Sequence, residues 1–368
     1  MAGMGAQVIK VEKPRTGDLS RHVGPFAGET QGLERSVLYL YLNTGKKSVT
    51  LDLKTRAGRE LLLELVRNSD ILVENFVPGV LPGLGLGYGE LRRYNPSIVM
   101  TSISNFGQTG PYRDYRASEL VACALSGVLF LTGEPDREPL QLGFRVAQYT
   151  AGANALSGAL SALFAREFAG EGQHIDVSIV ESLIPLLLAD TVKYAYAGVS
   201  SNRLGSKGGP ALFRCKDGYT SVMYVATGRQ RLAELTGRPE LGKLPYASFE
   251  GSKIYREEIN AIIQVWMDPR TKLEAFSQAQ DAGVASGYVC TPEDILQSPQ
   301  LIARDFFQEL DHPVAGKAAY QGPPFRFSKT GTMISRAPTL GEHNREVYGE
   351  LLGLTGSRLE ALSAQGVI

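Results

Sequence analysis

The chain has 368 residues, 43% hydrophobic and 21% charged, an ordinary balance for a globular protein with a sizeable core and two domains. Lys+Arg and Asp+Glu both number 38, so the net charge is zero, which excludes a chain dominated by nucleic-acid or polyanion binding. Cys123, Cys215 and Cys290 form no CxxC pair and the four histidines lack HxxxH spacing, so neither a disulfide framework nor a metal site is expected, and a reducing cytoplasm is the default.

No long apolar run follows Met1–Gly5, so no secretory signal is visible. The segment 7–12 reads as a strand so close to the start that an upstream element is expected to be absent. A second strand covers 48–53. Leu61, Leu62, Leu65 and Val66 share one face of a helix predicted over 57–68, with Thr55 as its N-cap. A short strand at 71–74 exits sharply through Asn75-Phe76-Val77-Pro78-Gly79. A helix at 88–94 leads to a strand at 98–103. Gly83, Gly85 and Gly87 invite a nucleotide-fingerprint reading, but Leu81-Pro82 precedes them rather than a strand, so they read as a turn into that helix. No P-loop and no GxSxG elbow occurs.

Strand–helix–strand alternation is the pattern of a parallel sheet covered by helices. Ligands of such folds bind beyond the carboxyl ends of the strands, here the loops 12–18, 75–79 and 104–111. Lys10, Lys13 and Arg15 cluster at one such exit and Lys46-Lys47 precede the second strand. They read either as a solvated face or as a clasp for a phosphorylated cofactor.

Further along, a helix rich in small residues is predicted over 147–168. Gln148 and Asn154 make it too polar for a membrane span. A strand at 173–177 precedes a helix carrying Glu181, with Pro185 near its first turn. Glu181 stands among Ile179, Val180, Leu183, Ile184 and three further leucines. Two readings stay open: the exposed stripe of an amphipathic helix, or a dried carboxylate whose pKa is pushed up by desolvation, as chemical groups often are. The loop 202–210 marks a boundary. Beyond it, a strand at 219–225 and helices at 258–267 and 272–282 suggest a smaller α+β domain. The expected organisation is a large domain over 1–200, a small one over 211–310, and a tail over 311–368 whose helix returns to the first domain.

Six segments arrive in order: 5–12, Lys46-Lys47-Ser48 with Leu51-Asp52-Leu53, 73–79, 106–111, 172–178 and 337–343. Together they resemble the family III CoA-transferases, which include formyl-CoA, carnitinyl-CoA and benzylsuccinate CoA-transferases and their relative α-methylacyl-CoA racemase. The resemblance spans essentially the whole chain. It implies a Rossmann-like α/β large domain with a parallel sheet, a smaller α+β domain, long linkers, and two chains interlocked as a homodimer or paired with a homologous chain.

The resemblance also implies an activity: CoA passes between an acyl-CoA thioester and a free carboxylic acid. Both are substrates, and no tightly bound cofactor or metal is implied. Glu181 falls where the transferases keep a catalytic aspartate that forms an acyl anhydride and then a thioester. Asn75 and Phe76 align with residues that contact CoA, Leu51 lies near the adenine pocket, and Lys13 takes a basic position facing the nucleotide. The loop around Gly205 to Gly209, with Gly208 and Gly209, would offer backbone amides to an oxyanion. Nucleic acid and membranes are not implied as partners.

The chain departs from the family in four places. It is expected to start past an initial strand and loop, carries glutamate at the nucleophile position, has Gly83 or its neighbours where a basic residue is expected, and has Ser118 and Ala147-Gln148 where the racemase keeps its acid/base pair. The alternatives are a non-catalytic subunit of a heteromeric transferase and, with less support, a 2-methylacyl-CoA racemase or epimerase.

Overall fold

The structure, a computed structural model, describes residues 1–203, 211–223, 228–332 and 334–368. In chain order come β1 (Ile9–Glu12), β2 (Lys47–Thr50), α1 (Arg56–Arg67), β3 (Ile71–Glu74), α2 (Tyr88–Tyr94) and β4 (Val99–Ser104). They are followed by α3 (Val146–Ala169), β5 (His174–Ser178), α4 (Ile179–Leu183), β6 (Ala211–Cys215), β7 (Gly218–Val222) and α5 (Arg256–Met267). The last labelled elements are α6 (Lys272–Asp281), β8 (Ser286–Tyr288), β9 (Phe307–His312), β10 (Gly316–Gln321) and α7 (Gly356–Ala364). The chain divides into two compact units, one of Met1–Ala122, Arg145–Leu183 and Leu296–Ile368, the other of Cys123–Phe144 and Ile184–Ile295.

The first unit is α/β. It holds a parallel pair β1-β2, a parallel sheet ordered β3-β4-β5, and an antiparallel hairpin β9-β10. Helix α1 begins where expected, because the Thr55 hydroxyl accepts the Gly58 amide at 3.0 Å. Its Leu61, Leu62, Leu65 and Val66 are buried against Val49, Leu51 and Met100. Each such side chain contributes about 1.5–3 kcal/mol relative to exposure. Gly58 is obligatory there, since a Cβ would stand 2.0 Å from the Asp52 carbonyl oxygen. The tail closes the same core: the Tyr348 hydroxyl donates to the Thr50 carbonyl (3.0 Å) and the Asp52 amide to the Val367 carbonyl (2.8 Å). Among the described residues its helical part is α7 and a π-helical turn at Arg345–Leu351.

Helix α3 buries Ala147, Ala151, Ala155, Ala159 and Ala162, a run at three- and four-residue spacing. With side chains this small the helix comes close to Ile103, Ile175 and Val177 of β4 and β5. The strand after it starts at a tight crossing, where a Cβ on Gly172 would lie 2.0 Å from the Ile98 carbonyl oxygen.

One feature of this unit is a buried polar cluster. The Arg21 guanidinium donates to both Glu12 oxygens (2.7 and 3.0 Å), to Glu34 (2.7 Å) and to the carbonyls of Leu33 and Pro338 (3.2 and 3.3 Å). It lies 3.6 Å above the Tyr39 ring. Burial pushes the Glu12 carboxyl up, but the hydrogen bonds from Arg21 and Ser48 outweigh it and hold the group below the usual carboxylate range.

The β9-β10 hairpin carries a second buried polar group. The amides of Val314 and Ala315 donate to Nδ1 of His312 (3.3 and 3.1 Å), and Nε2 has no partner among the described residues. Burial, with Arg336 and Arg21 nearby and despite Glu34 and Glu342, pulls His312 below its ordinary 6.5. The unfolded chain then binds more protons below about pH 6.5, so this stabilisation is complete above that pH and lost as the pH falls through the folded value. His312→Asn keeps an acceptor for the two amides and removes the titration. Its urea midpoint is expected to drop less between pH 7 and pH 5 than the parent's; an equal drop would refute the assignment.

The second unit is a smaller α+β assembly. Its antiparallel sheet β6-β7-β8 packs Phe213 and Val222 against Ile259, Ile263, Trp266 and Met267 of α5 and Ala275 and Ala279 of α6. Helix α6 starts on a capping box between Thr271 and Glu274. The strand expected to reach Val225 ends at Val222, and residues 224–227 lie outside the described residues. The helix expected to carry Glu181 past Pro185 also differs. α4 stops at Leu183 and a 3₁₀ turn, Ile184–Leu187, takes over, because a proline disfavours the helical conformation of the residue before it.

Candidate active site

Strands β3, β4 and β5 run parallel, with Glu74 opposite Ser102, Ser102 opposite Asp176, and Ser104 opposite Ser178. Their carboxyl ends therefore share one edge. The segments leaving that edge are Asn75–Gly79, Asn105–Pro111 and the first turn of α4, spaced by neighbouring strands about 4.8 Å apart. Asn75, Phe76 and Glu181, which the sequence marks separately, stand along this single edge.

The β3 exit is held by its own side chain: a Glu74 oxygen accepts the Phe76 amide at 2.8 Å, leaving Asn75 and Phe76 exposed. The β4 exit lies over β5. Gly107, at φ +87°, brings the backbone close to Asp176, whose two oxygens accept the Gln108 amide at 3.0 and 2.8 Å. Three aromatic rings cluster along this segment, with Tyr112 and Tyr115 stacked at 4.9 Å and Phe106 edge-on to both.

Glu181 is in the first turn of α4. Its amide donates to the Ser178 hydroxyl (3.2 Å) and the Val180 amide to the Asn105 carbonyl (3.1 Å). Both donors are thus occupied, and an oxyanion would need amides from elsewhere. The carboxylate itself is exposed, which favours the exposed stripe over the carboxylate dried by its sequence neighbours, the two readings the sequence left open. Those neighbours diverge in space: Leu183 is fully buried, whereas Ile184, Leu186 and Leu188 are exposed. Adjacency along the chain does not become desolvation when the helix carrying it lasts five residues.

The other expected residues fall on the β1-β2 pair. Lys13 follows β1 and is exposed; Leu51 follows β2, its amide donating to the Glu12 carbonyl at 2.7 Å. The Leu51 side chain is a core residue and offers no open surface. Of the basic cluster, Lys10 is paired with Asp18 at 2.8 Å and Lys47 with Glu346, so neither is a free cation. Burial, with Lys10 beside it, pulls Lys46 down to about 8. Lys13 and Arg15 remain exposed at the carboxyl end of β1. Gly208 and Gly209 lie outside the described residues.

Sequence reasoning missed Asp176 and Ser178 as individual residues; their alternation on β5 was the signal that could have singled them out. It also missed Glu119, whose Oε1 accepts the Ala147 amide at the start of α3 (2.6 Å). Among the described residues no group of three His, Cys, Asp or Glu side chains could hold a metal ion, and no helix is long and apolar enough to cross a membrane.

Comparison with known proteins agrees with this arrangement. The CoA-transferase family III profile matches residues 1–344. A succinyl-CoA–D-citramalate CoA-transferase from Chloroflexus aurantiacus is 35% identical, the match covering 100% of this chain and 92% of the relative. A formyl-CoA:oxalate CoA-transferase from Streptomyces avermitilis is 33% identical over 100% and 94% of the two chains. The crystal structure of a CAIB/BAIF family protein from Brucella suis superposes with a TM-score of 0.83 at 29% identity, covering 95% of this chain and 94% of that one. With its parallel-sheet edge and a profile match over nearly its full length, the chain belongs to CoA-transferase family III and is a transferase enzyme.

Proposed function

We propose that the protein moves CoA from an acyl-CoA thioester to a free carboxylic acid through covalent intermediates on Glu181. A Glu181 oxygen attacks the thioester carbonyl, the C–S bond breaks, and CoA leaves as thiolate from a mixed anhydride. The thiolate then attacks the glutamyl carbonyl, releasing the first acid and leaving a glutamyl-CoA thioester. A second carboxylate attacks that thioester, and the returning thiolate takes the new acyl group, restoring Glu181. Splitting one exchange into such steps is the advantage of covalent catalysis. The observation that carries this reading is the place of Glu181, in the first turn beyond β5 and on the same sheet edge as the Asn75–Gly79 and Asn105–Pro111 loops.

In this reading Asn75 and Phe76 contact CoA, and the cations of Lys13 and Arg15 meet its phosphates. CoA is a substrate and not a resident cofactor. The first unit would be the CoA-binding body. The relatives are named for formyl and succinyl donors, which favours small carboxylic acids as exchange partners here. Incubation with acyl-CoA and hydroxylamine should yield a hydroxamate on Glu181, read by mass spectrometry. Turnover without any such adduct would overturn the covalent route.

We also propose that two copies of this chain pair. Between Val146 and Ala165 helix α3 has no charged residue, yet Tyr149, Leu160, Phe164 and Phe168 on it are 47–79% exposed. An apolar face of this kind marks an interaction site. Light scattering should give twice 39.8 kDa, and Leu160→Glu with Phe164→Glu should halve it. A single-chain mass at micromolar concentration would refute pairing; co-purification with a homologous chain would instead favour a heteromer. The cytoplasm is the proposed compartment, given cysteines without disulfides; recovery of the protein in the secreted fraction would contradict it.

A further inference from the structure

On β5, Asp176 and Ser178 are two residues apart and so project from the same face of the strand. Both grip the loop that follows β4. Asp176 takes the Gln108 amide with both oxygens (3.0 and 2.8 Å), and the Ser178 hydroxyl donates to the Asn105 carbonyl at 3.4 Å. The loop is therefore held at two points three residues apart, Asn105 and Gln108. Ser178 also acts in the other direction, because its hydroxyl oxygen accepts the Glu181 amide (3.2 Å) and its carbonyl accepts the Ser182 hydroxyl (2.8 Å). The Asn105 carbonyl closes the circuit by accepting the Val180 amide (3.1 Å). One buried hydroxyl thus joins the turn that presents Glu181 to the loop beside it.

We infer that Ser178 and Asp176 are positioning residues that fix Glu181 relative to the Asn105–Gln108 loop, and so set its line of attack on the bound thioester. The inference rests on Glu181 being the nucleophile. The geometry favours a positioning role over a merely structural one. A five-residue helix has too few internal hydrogen bonds to hold its own first turn. Its orientation must come from outside, and the described partners of its first two amides after Ile179 are Asn105 and Ser178. Displacement of a reacting group by about 1 Å can cost on the order of 10²-fold in rate. Ser178 is therefore expected to act on kcat and to leave acyl-CoA binding nearly unchanged.

The test compares the full-length protein with Ser178→Ala, Ser178→Thr, Asp176→Ala and Glu181→Gln, each read by steady-state kinetics, thermal unfolding and hydrogen exchange of the 104–110 and 178–183 peptides. Ser178→Ala should lower kcat about 10- to 100-fold, with KM for acyl-CoA and the melting temperature close to the parent's and faster exchange in both peptides. Ser178→Thr keeps the hydroxyl and should recover most of kcat. Asp176 is exposed, so Asp176→Ala keeps the fold even if Ser178→Ala does not; it should lower kcat and speed exchange in the loop peptide. Parental kcat in Ser178→Ala, or in Asp176→Ala where the serine variant does not fold, overturns the positioning role. So does a loss that Ser178→Thr fails to recover. Full activity in Glu181→Gln would instead overturn the nucleophile reading and this inference with it; an inactive Glu181→Gln beside fully active Ser178→Ala and Asp176→Ala would overturn this inference alone.

Discussion

Glu181→Gln should abolish CoA transfer, with kcat falling on the order of 10⁴-fold or more, the scale on which removing a covalent nucleophile acts. The amide is nearly isosteric with the carboxylate, so the first turn of α4 and its hydrogen bonds to Ser178 and Asn105 should survive. What is lost is the attacking oxygen. Glutamine can form neither the anhydride nor the thioester, and the hydroxylamine adduct should vanish together with turnover. Glu181→Asp keeps the chemistry but draws the carboxylate back by about one bond length, for an expected loss near 10²-fold. The two variants separate chemistry from reach. A Glu181→Gln enzyme with intact kcat would leave family membership standing and remove the covalent mechanism.

Arg21→Ala should destabilise the first unit by about 3–5 kcal/mol, the usual cost of breaking a buried ion pair from one side. Neither Arg21 nor Glu12 exposes any of its side chain. Removing the guanidinium strands the Glu12 carboxylate in a site built for charge and takes a donor from Glu34 and from the Pro338 carbonyl. The cost is one of uncompensated charge, because replacing both partners is far better tolerated than removing one. Arg21→Met with Glu12→Gln should therefore recover part of the loss. Urea unfolding, with exchange of the β1 and β2 amides as the local readout, checks both. A loss below about 1 kcal/mol, the range of an exposed pair, would show that water enters the cluster.

The parts that could be read along the chain are those governed by local spacing. Thr55 three residues before Gly58, and the apolar stripe from Leu61 to Val66, carry enough information to start α1 and to choose its buried face. The alternation of β3, α2 and β4 likewise points to a parallel sheet and to the edge where ligands collect. The β9-β10 hairpin escaped notice because its burial pattern is irregular: only His312 of β9 and Tyr320 of β10 are buried, and the other positions mix partly buried and exposed. The basic cluster misled in part because the partner of Lys47 is Glu346, nearly the whole chain away. No local pattern carries such a pairing.

By itself the sequence determined the strands and helices from β1 to β5, that their sheet is parallel, that Glu181 follows its last strand, and which family's motifs recur in order. These follow from short-range periodicity, capping chemistry and residue identity, all of which are written along the chain. Only the tertiary structure decided that Glu181 faces outward although aliphatic residues flank it, that Asp176 and Ser178 hold it against the neighbouring loop, and that Arg21 is buried in ion pairs with Glu12 and Glu34. Burial and hydrogen bonding depend on what the fold brings beside a residue, and a five-residue helix at a sheet edge takes its surroundings from other strands, not from its own neighbours.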